Sequence, residues 1–165
     1  MPRQLTKIDA LFVEGPDDGA VVNAFVKKLT GIDLATSRLV RTKDDGGGDS
    51  WALREFDQYI RERKEGRVGV IVDRDGVDND KWPAVRERLL ALGGAADGPV
   101  ATGAIVDCRC GIWMWPDNIS HGDLENFLAG ILPASALMAY STEVCGTAKE
   151  THGAEYDLAD SVKLH

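Results

Sequence analysis

Basic residues are in short supply in this 165-residue chain: 19 lysines and arginines face 27 aspartates and glutamates, for a formal net charge of −8. That balance excludes a broad electrostatic grip on nucleic acid by the chain as a whole. It leaves room for an enzyme of nucleic acid, because acids can ligate metals and bases can cluster. Lys27, Lys28, Arg38, Arg41 and Lys43 fall close together, as do Arg61, Arg63, Lys64 and Arg67, and each group reads as a solvated face. Cysteine is scarce too. Three cysteines, with no Cys-x-x-Cys spacing, make neither a disulfide framework nor a zinc clamp. No apolar run approaches the ~20 residues that span a bilayer. The opening MPRQLTKIDALFVEG lacks the apolar core and cleavage site of a signal peptide. A cytoplasmic protein with no membrane partner is the expectation. Internal repeats and low-complexity segments are absent as well.

What the chain does have is an ordinary globular composition, 44% hydrophobic and 28% charged, at a length suited to one domain with a real core. Its organising stretch is Arg67-Val68-Gly69-Val70-Ile71-Val72-Asp73-Arg74-Asp75. An apolar, β-branched run without polar alternation reads as a strand covered on both faces, as in a parallel sheet. Its end carries two acids spaced by one residue, and the carboxyl ends of strands in open α/β sheets are where ligands bind. Two carboxylates there suit a hard divalent cation.

A second acidic strand end lies upstream. Residues 8–13 (IDALFV) form a candidate strand closed by Glu14-Gly15, and Pro16-Asp17-Asp18 opens a helix. Val21, Val22, Phe25, Val26 and Leu29 follow at helical spacing, with Gly31 as the stop. Residues 37–42 (SRLVRT) are a second strand. The loop DDGGGD at 44–49 is glycine-rich, but lacks the lysine and spacing of a phosphate-binding P-loop. Ser50 is placed to cap a helix whose apolar side holds Trp51, Leu53, Phe56, Tyr59 and Ile60. After Asp75, a helix over about 81–92 is expected to turn Trp82, Val85, Leu89 and Leu90 inward. The turn-rich 93–102 precedes two more strands, 104–107 and 111–115, and Asp123-Leu124-Glu125 starts another helix.

This alternation predicts an α/β layer with a mostly parallel sheet flanked by helices. Right-handed crossovers then bring the ends of the first and third strands to one rim. Glu14, Asp73 and Asp75 become neighbours there. Three acids on one rim form a metal site where one alone would be noise.

These residues carry a resemblance. Leu11-Phe12-Val13-Glu14-Gly15 with Asp18, followed by Val70-Ile71-Val72-Asp73-Arg74-Asp75, resembles the Toprim domain of topoisomerases, primases and related nucleases. Leu124-Glu125-Asn126-Phe127-Leu128 looks like the extra acidic motif of the branch related to overcoming-lysogenization-defect nucleases. With Trp113-Met114-Trp115-Pro116-Asp117-Asn118, the whole is similar to small stand-alone bacterial Toprim-like proteins. The resemblance implies a single Toprim-like, Rossmann-like domain over residues 1–165, with 129–165 as a helical C-terminal extension. It implies Glu14 as metal ligand or general acid/base and Asp73 and Asp75 as metal ligands in catalysis. Asp18 and Glu125 match positions that help hold a second metal. Mg2+ or Mn2+ is the implied cofactor, phosphodiester hydrolysis of nucleic acid the implied activity, and an ATPase the implied partner. One departure stands out: no lysine is evident as a match to the catalytic lysine of the nuclease branch.

Two other readings stay open. A degenerate Toprim domain would be a binding or regulatory module. Val72-Asp73-Arg74-Asp75-Gly76-Val77 also resembles the first motif of haloacid-dehalogenase-like phosphatases, although that family places it on an N-terminal strand. Trp113 and Trp115 share a face, as a stacking platform or as packing under later helices. Cys108, Cys110, Cys145, His121 and His152 read as thiols and surface imidazoles rather than as a zinc set.

Overall fold

The computed structural model describes residues 9–34, 39–43, 48–62, 66–91, 104–106, 110–133 and 136–153. Its centre is β3 (Val68–Asp73), where side chains alternate between two covered faces. Val68, Val70 and Val72 point into one core, at most 5% exposed, and Ile71 packs into the other. On one side β3 pairs in parallel with β1 (Ala10–Val13), which in turn pairs with β2 (Val40–Arg41). On the other it pairs in parallel with β5 (Cys110–Trp115), and β4 (Ala104–Val106) closes that edge antiparallel. The order β2-β1-β3-β5-β4 makes an α/β, Rossmann-like fold with β3 in the interior. The expected mostly parallel sheet is present.

Helices cover both faces. α1 (Pro16–Thr30) starts at Pro16 and ends where Gly31 turns left-handed, its amide donating to the Lys27 carbonyl at 2.9 Å. Leu29, at the end of that apolar series, is 80% exposed and outside the core. α2 (Gly48–Glu62) begins two residues before the expected cap. Ser50 therefore lies within the first turn, and its hydroxyl meets Asp49 Oδ1 at 3.4 Å instead of capping an amide. α3 (Trp82–Ala91) buries Val85, while Leu90 is 47% exposed. Five residues from Val85, at 3.6 per turn, Leu90 faces well away from it. The inward placement expected for Leu90 is thus corrected. α4 (Leu124–Ile131) and α5 (Ala136–His152) supply the helical C-terminal part. Residues 37–38, 44–47, 92–102 and Cys108 lie outside the described residues.

The core on one face joins Phe12, Val70, Val72, Ile112 and Met114 to Ala52, Phe56 and Val85 of α2 and α3. The opposite core joins Ile71, Trp113 and Trp115 to Val22 of α1 and Leu124 and Phe127 of α4. Trp115 stacks tilted on Phe127 at 4.6 Å, so the two tryptophans are packing rather than an open platform. Cys110 and Cys145 are buried thiols. No helix among the described residues is long and apolar enough to cross a membrane.

Candidate functional site

Parallel pairing of Val13 with Ile71 sets Glu14 beside the last residues of β3, 59 positions apart in sequence. The Asp73 amide donates to Glu14 Oε1 at 2.8 Å, so the expected convergence of these two strand ends is found. Asp73 has the opposite face. Its Oδ1 accepts the Leu124 amide at 3.1 Å, taking up a donor at the N-terminus of α4. That helix is also capped by Asp123, whose Oδ1 accepts the Asn126 amide at 2.8 Å.

Asp75 sits in the left-handed region, φ 65°, tied by its backbone to Gly122 through two 2.9 Å hydrogen bonds. This conformation, which Asp tolerates better than most residues, sends its carboxylate to a different partner from Asp73. That partner is Lys81. The Lys81 ammonium lies 3.1 Å from Asp75 Oδ2, 3.4 Å from Glu14 Oε1 and 3.8 Å from Asp49 Oδ2. Its backbone is fixed by an amide bond to the Arg74 carbonyl at 3.1 Å. Sequence reasoning placed Lys81 only as a helix start and took Asp49 only as part of a loop. The only local hint is that Lys81 directly follows the acids of 73–80; its three carboxylate partners are set by the tertiary fold.

Asp18 is buried, its Oδ1 accepting Trp115 Nε1 at 2.9 Å and its Oδ2 the Gly15 amide at 3.2 Å. Both oxygens are already acceptors, which makes Asp18 a brace of the rim more than an open ligand. Glu125 lies in the first turn of α4, close enough to Asp18 to influence its charge. His121 pairs with Asp80 at 3.4 Å. Arg74, between the two acids of the motif, is buried and forks onto Asp80 at 3.0 and 3.1 Å, with a further bond to the Ile119 carbonyl.

The electrostatics follow from this crowding. Burial, then the nearby Glu14 and Asp18 charges, push the Asp73 carboxyl up to about 8. Burial also raises Glu14 and Asp18, against opposing help from Lys81 and from Trp115 respectively. Burial pulls Lys81 down, but Glu14, Asp75 and Asp49 outweigh it and hold the ammonium above its ordinary value. Asp80, held by Arg74, is depressed to about 2.

Among the described residues no three His, Cys, Asp or Glu side chains converge as a metal cage. The described residues therefore make no closed cage of the kind that Zn2+ or Ca2+ takes. Mg2+ asks for less: one or two carboxylates, with waters and phosphate oxygens completing the shell. Glu14 and Asp73 would fit that demand, being half-buried acids that the 2.8 Å bond from the Asp73 amide to Glu14 Oε1 holds side by side. Elsewhere, a cavity of about 530 Å3 between the C-terminal halves of α2 and α3 is lined by Asp57, Arg61, Glu87, Arg88 and Ala91, and includes none of these acids. Of the basic groups, Lys27 is paired with Asp33 at 2.8 Å and Arg41 stacks over Phe12 and Tyr59 at 5.6 and 5.7 Å.

Fold and rim together define an α/β, Rossmann-like protein with a cluster of acids and one lysine at the carboxyl edge of its sheet. The chain belongs to the family described as protein of unknown function (DUF3226), whose model matches residues 8–165. No curated protein matches the chain, and no solved structure does.

Proposed function

We propose that this protein is a Mg2+- or Mn2+-dependent phosphodiester hydrolase of the Toprim type, acting on nucleic acid together with a partner such as an ATPase. The observation that carries the reading is the 2.8 Å bond from the Asp73 amide to Glu14 Oε1, which holds two half-buried acids of neighbouring parallel strands at one edge. Glu14 and Asp73 would hold the cation, with Asp75 beside them and Asp18 and Glu125 on the flank. Bound there, a hard dication would neutralise the acids, activate a water and polarise a phosphate. Glu14 is suited to receive a proton, because burial raises its affinity for one. Lys81 brings a positive charge to the same edge, where charge develops on phosphate oxygens. It is the candidate for the lysine that the sequence did not reveal. The chain's −8 charge leaves the grip on a polyanion to a basic partner or second subunit.

A second reading has its own observation. Lys81 neutralises Glu14, Asp49 and Asp75 without a metal, as befits a Toprim-type binding module that has given up catalysis. Cleavage assays over DNA, RNA and tRNA, with the partner present, separate the two. The hydrolase reading expects Mn2+-dependent cleavage that falls about 100-fold or more in Glu14→Ala and Asp73→Ala, the scale on which losing a metal's supporting groups acts. Cleavage surviving both substitutions removes this site as the catalyst. No cleavage and no metal-induced rise in Tm leaves the binding module.

A further inference from the structure

We propose that Lys81 occupies the cation position of the resting site, and that a divalent cation and a substrate phosphodiester bind cooperatively because Lys81 must pass from Glu14 and Asp75 to the phosphate. This deepens the hydrolase reading and rests on it.

The contacts themselves define the exchange. One ammonium, its side chain 18% exposed, serves three carboxylates at 3.1, 3.4 and 3.8 Å. Glu14 Oε1 is both its partner and the acceptor of the Asp73 amide, so the oxygen nearest Asp73 is the one Lys81 covers. An ammonium and a dication cannot both sit against that oxygen without strong repulsion at the low effective dielectric of a half-buried edge. Lys81 can leave without unfolding anything. Its backbone stays fixed, the amide on the Arg74 carbonyl and the carbonyl accepting from Val85 at 3.1 Å, while four methylenes let the head group swing. Asp49, the most distant of the three partners, opens α2 and remains a tether. An ammonium displaced from two carboxylates at this half-buried edge is best held by another anion. A phosphodiester oxygen entering the same edge supplies one.

Two consequences follow. Metal binding alone is weakened, because Lys81 must be displaced with no new partner. Phosphodiester binding relieves that penalty, and by linkage each ligand tightens the other by the same factor.

The test is calorimetric titration of Mn2+, alone and with the dinucleotide TpT, on the wild type, Lys81→Met and Lys81→Arg. TpT carries one phosphodiester and little metal affinity of its own. The wild type is expected to bind Mn2+ roughly tenfold more weakly than Lys81→Met and to gain a similar factor from TpT, within the usual range of coupling between sites. Lys81→Met should show no such gain, and Lys81→Arg, which keeps the charge, should remain the weaker binder. If Lys81→Met fails to fold, as read by circular dichroism, Lys81→Gln takes its place. Equal Mn2+ affinity in wild type and Lys81→Met, or equal coupling to TpT, overturns the proposal. Where the wild type still cleaves with Mn2+, that result leaves the hydrolase reading standing. Absence of Mn2+ binding in all three proteins removes both.

Discussion

Arg74 and Lys81 are two cations at the same edge of the sheet, seven residues apart, and they are treated in opposite ways. Arg74 is 9% exposed at its side chain and meets one carboxylate, Asp80, in a two-pronged match. Its third contact is the Ile119 carbonyl. Lys81 is divided among three carboxylates at longer and unequal distances. A matched fork fixes a loop, because each donor has one acceptor and neither can leave cheaply. A shared point charge in an excess of acids fixes nothing so firmly and leaves the acids under-neutralised. The neighbouring Asp73, pushed up to about 8 by burial and by Glu14 and Asp18, marks where that deficit falls. The loop after β3 thus carries one ion pair that builds the site and one that is available to be exchanged.

The sharpest way to break this contrast is to remove each cation. Arg74→Gln strands Asp80 and the Ile119 carbonyl in a half-buried setting and is expected to lower stability by about 3–5 kcal/mol. Lys81→Met is expected to lose about 1 kcal/mol, since its partners can take up protons or water. Urea unfolding measures both, and equal losses would erase the distinction. An effect between those two, about 2–3 kcal/mol, is expected for Gly122→Ala. Gly122 has φ 142°, and a Cβ there would stand 2.5 Å from Asn126 Oδ1. Its carbonyl also accepts from both Arg74 and Asp75, at 3.1 and 2.9 Å. This one change should disturb both halves of the loop, and metal affinity should fall along with stability.

The same contrast predicts a pH slope with opposite signs for the two acids. Asp73 titrates at about 8 in the fold, above its unfolded value near 4, so its contribution is whole below about pH 4 and is lost as pH rises through 8. Asp80, depressed to about 2, contributes fully above about pH 4 and loses that only as pH falls through 2. With chelator present, Tm should therefore fall from pH 5 to pH 9, most of it below pH 8. Asp73→Asn should flatten that fall. A slope that persists in Asp73→Asn would assign it to other groups.

The parallel sheet and the meeting of Glu14 with Asp73 were legible in the sequence because both rest on strand periodicity and on the hand of crossover connections. Three kinds of detail were not. Helix starts depend on which of several polar residues reaches an amide, and α2 starts at Gly48, ahead of Ser50. The divergence of Asp75 from Asp73 depends on a left-handed backbone at Asp75, which the spacing of two acids does not encode. Lys81 was hidden because its role comes from α3 folding back under β3, a tertiary event with no local pattern. Trp115 and Asp18, 97 residues apart, belong to the same class of contact.

The bond from the Leu124 amide to Asp73 Oδ1 spans 51 residues, and β5, which precedes Leu124, lies between β3 and the later-paired edge strand β4. A chain emerging from the ribosome therefore has Glu14, Asp73, Asp75 and Lys81 in hand well before it has the strand and helix start that hold Asp73 in place. Any fragment ending before residue 124 would keep Glu14, Asp73 and Asp75 and lose the amide that anchors Asp73. The motif residues are written early, but the rim is completed late, and truncation from the C-terminal side would release Asp73 from its anchor without touching a single acid of the Asp-x-Asp pair.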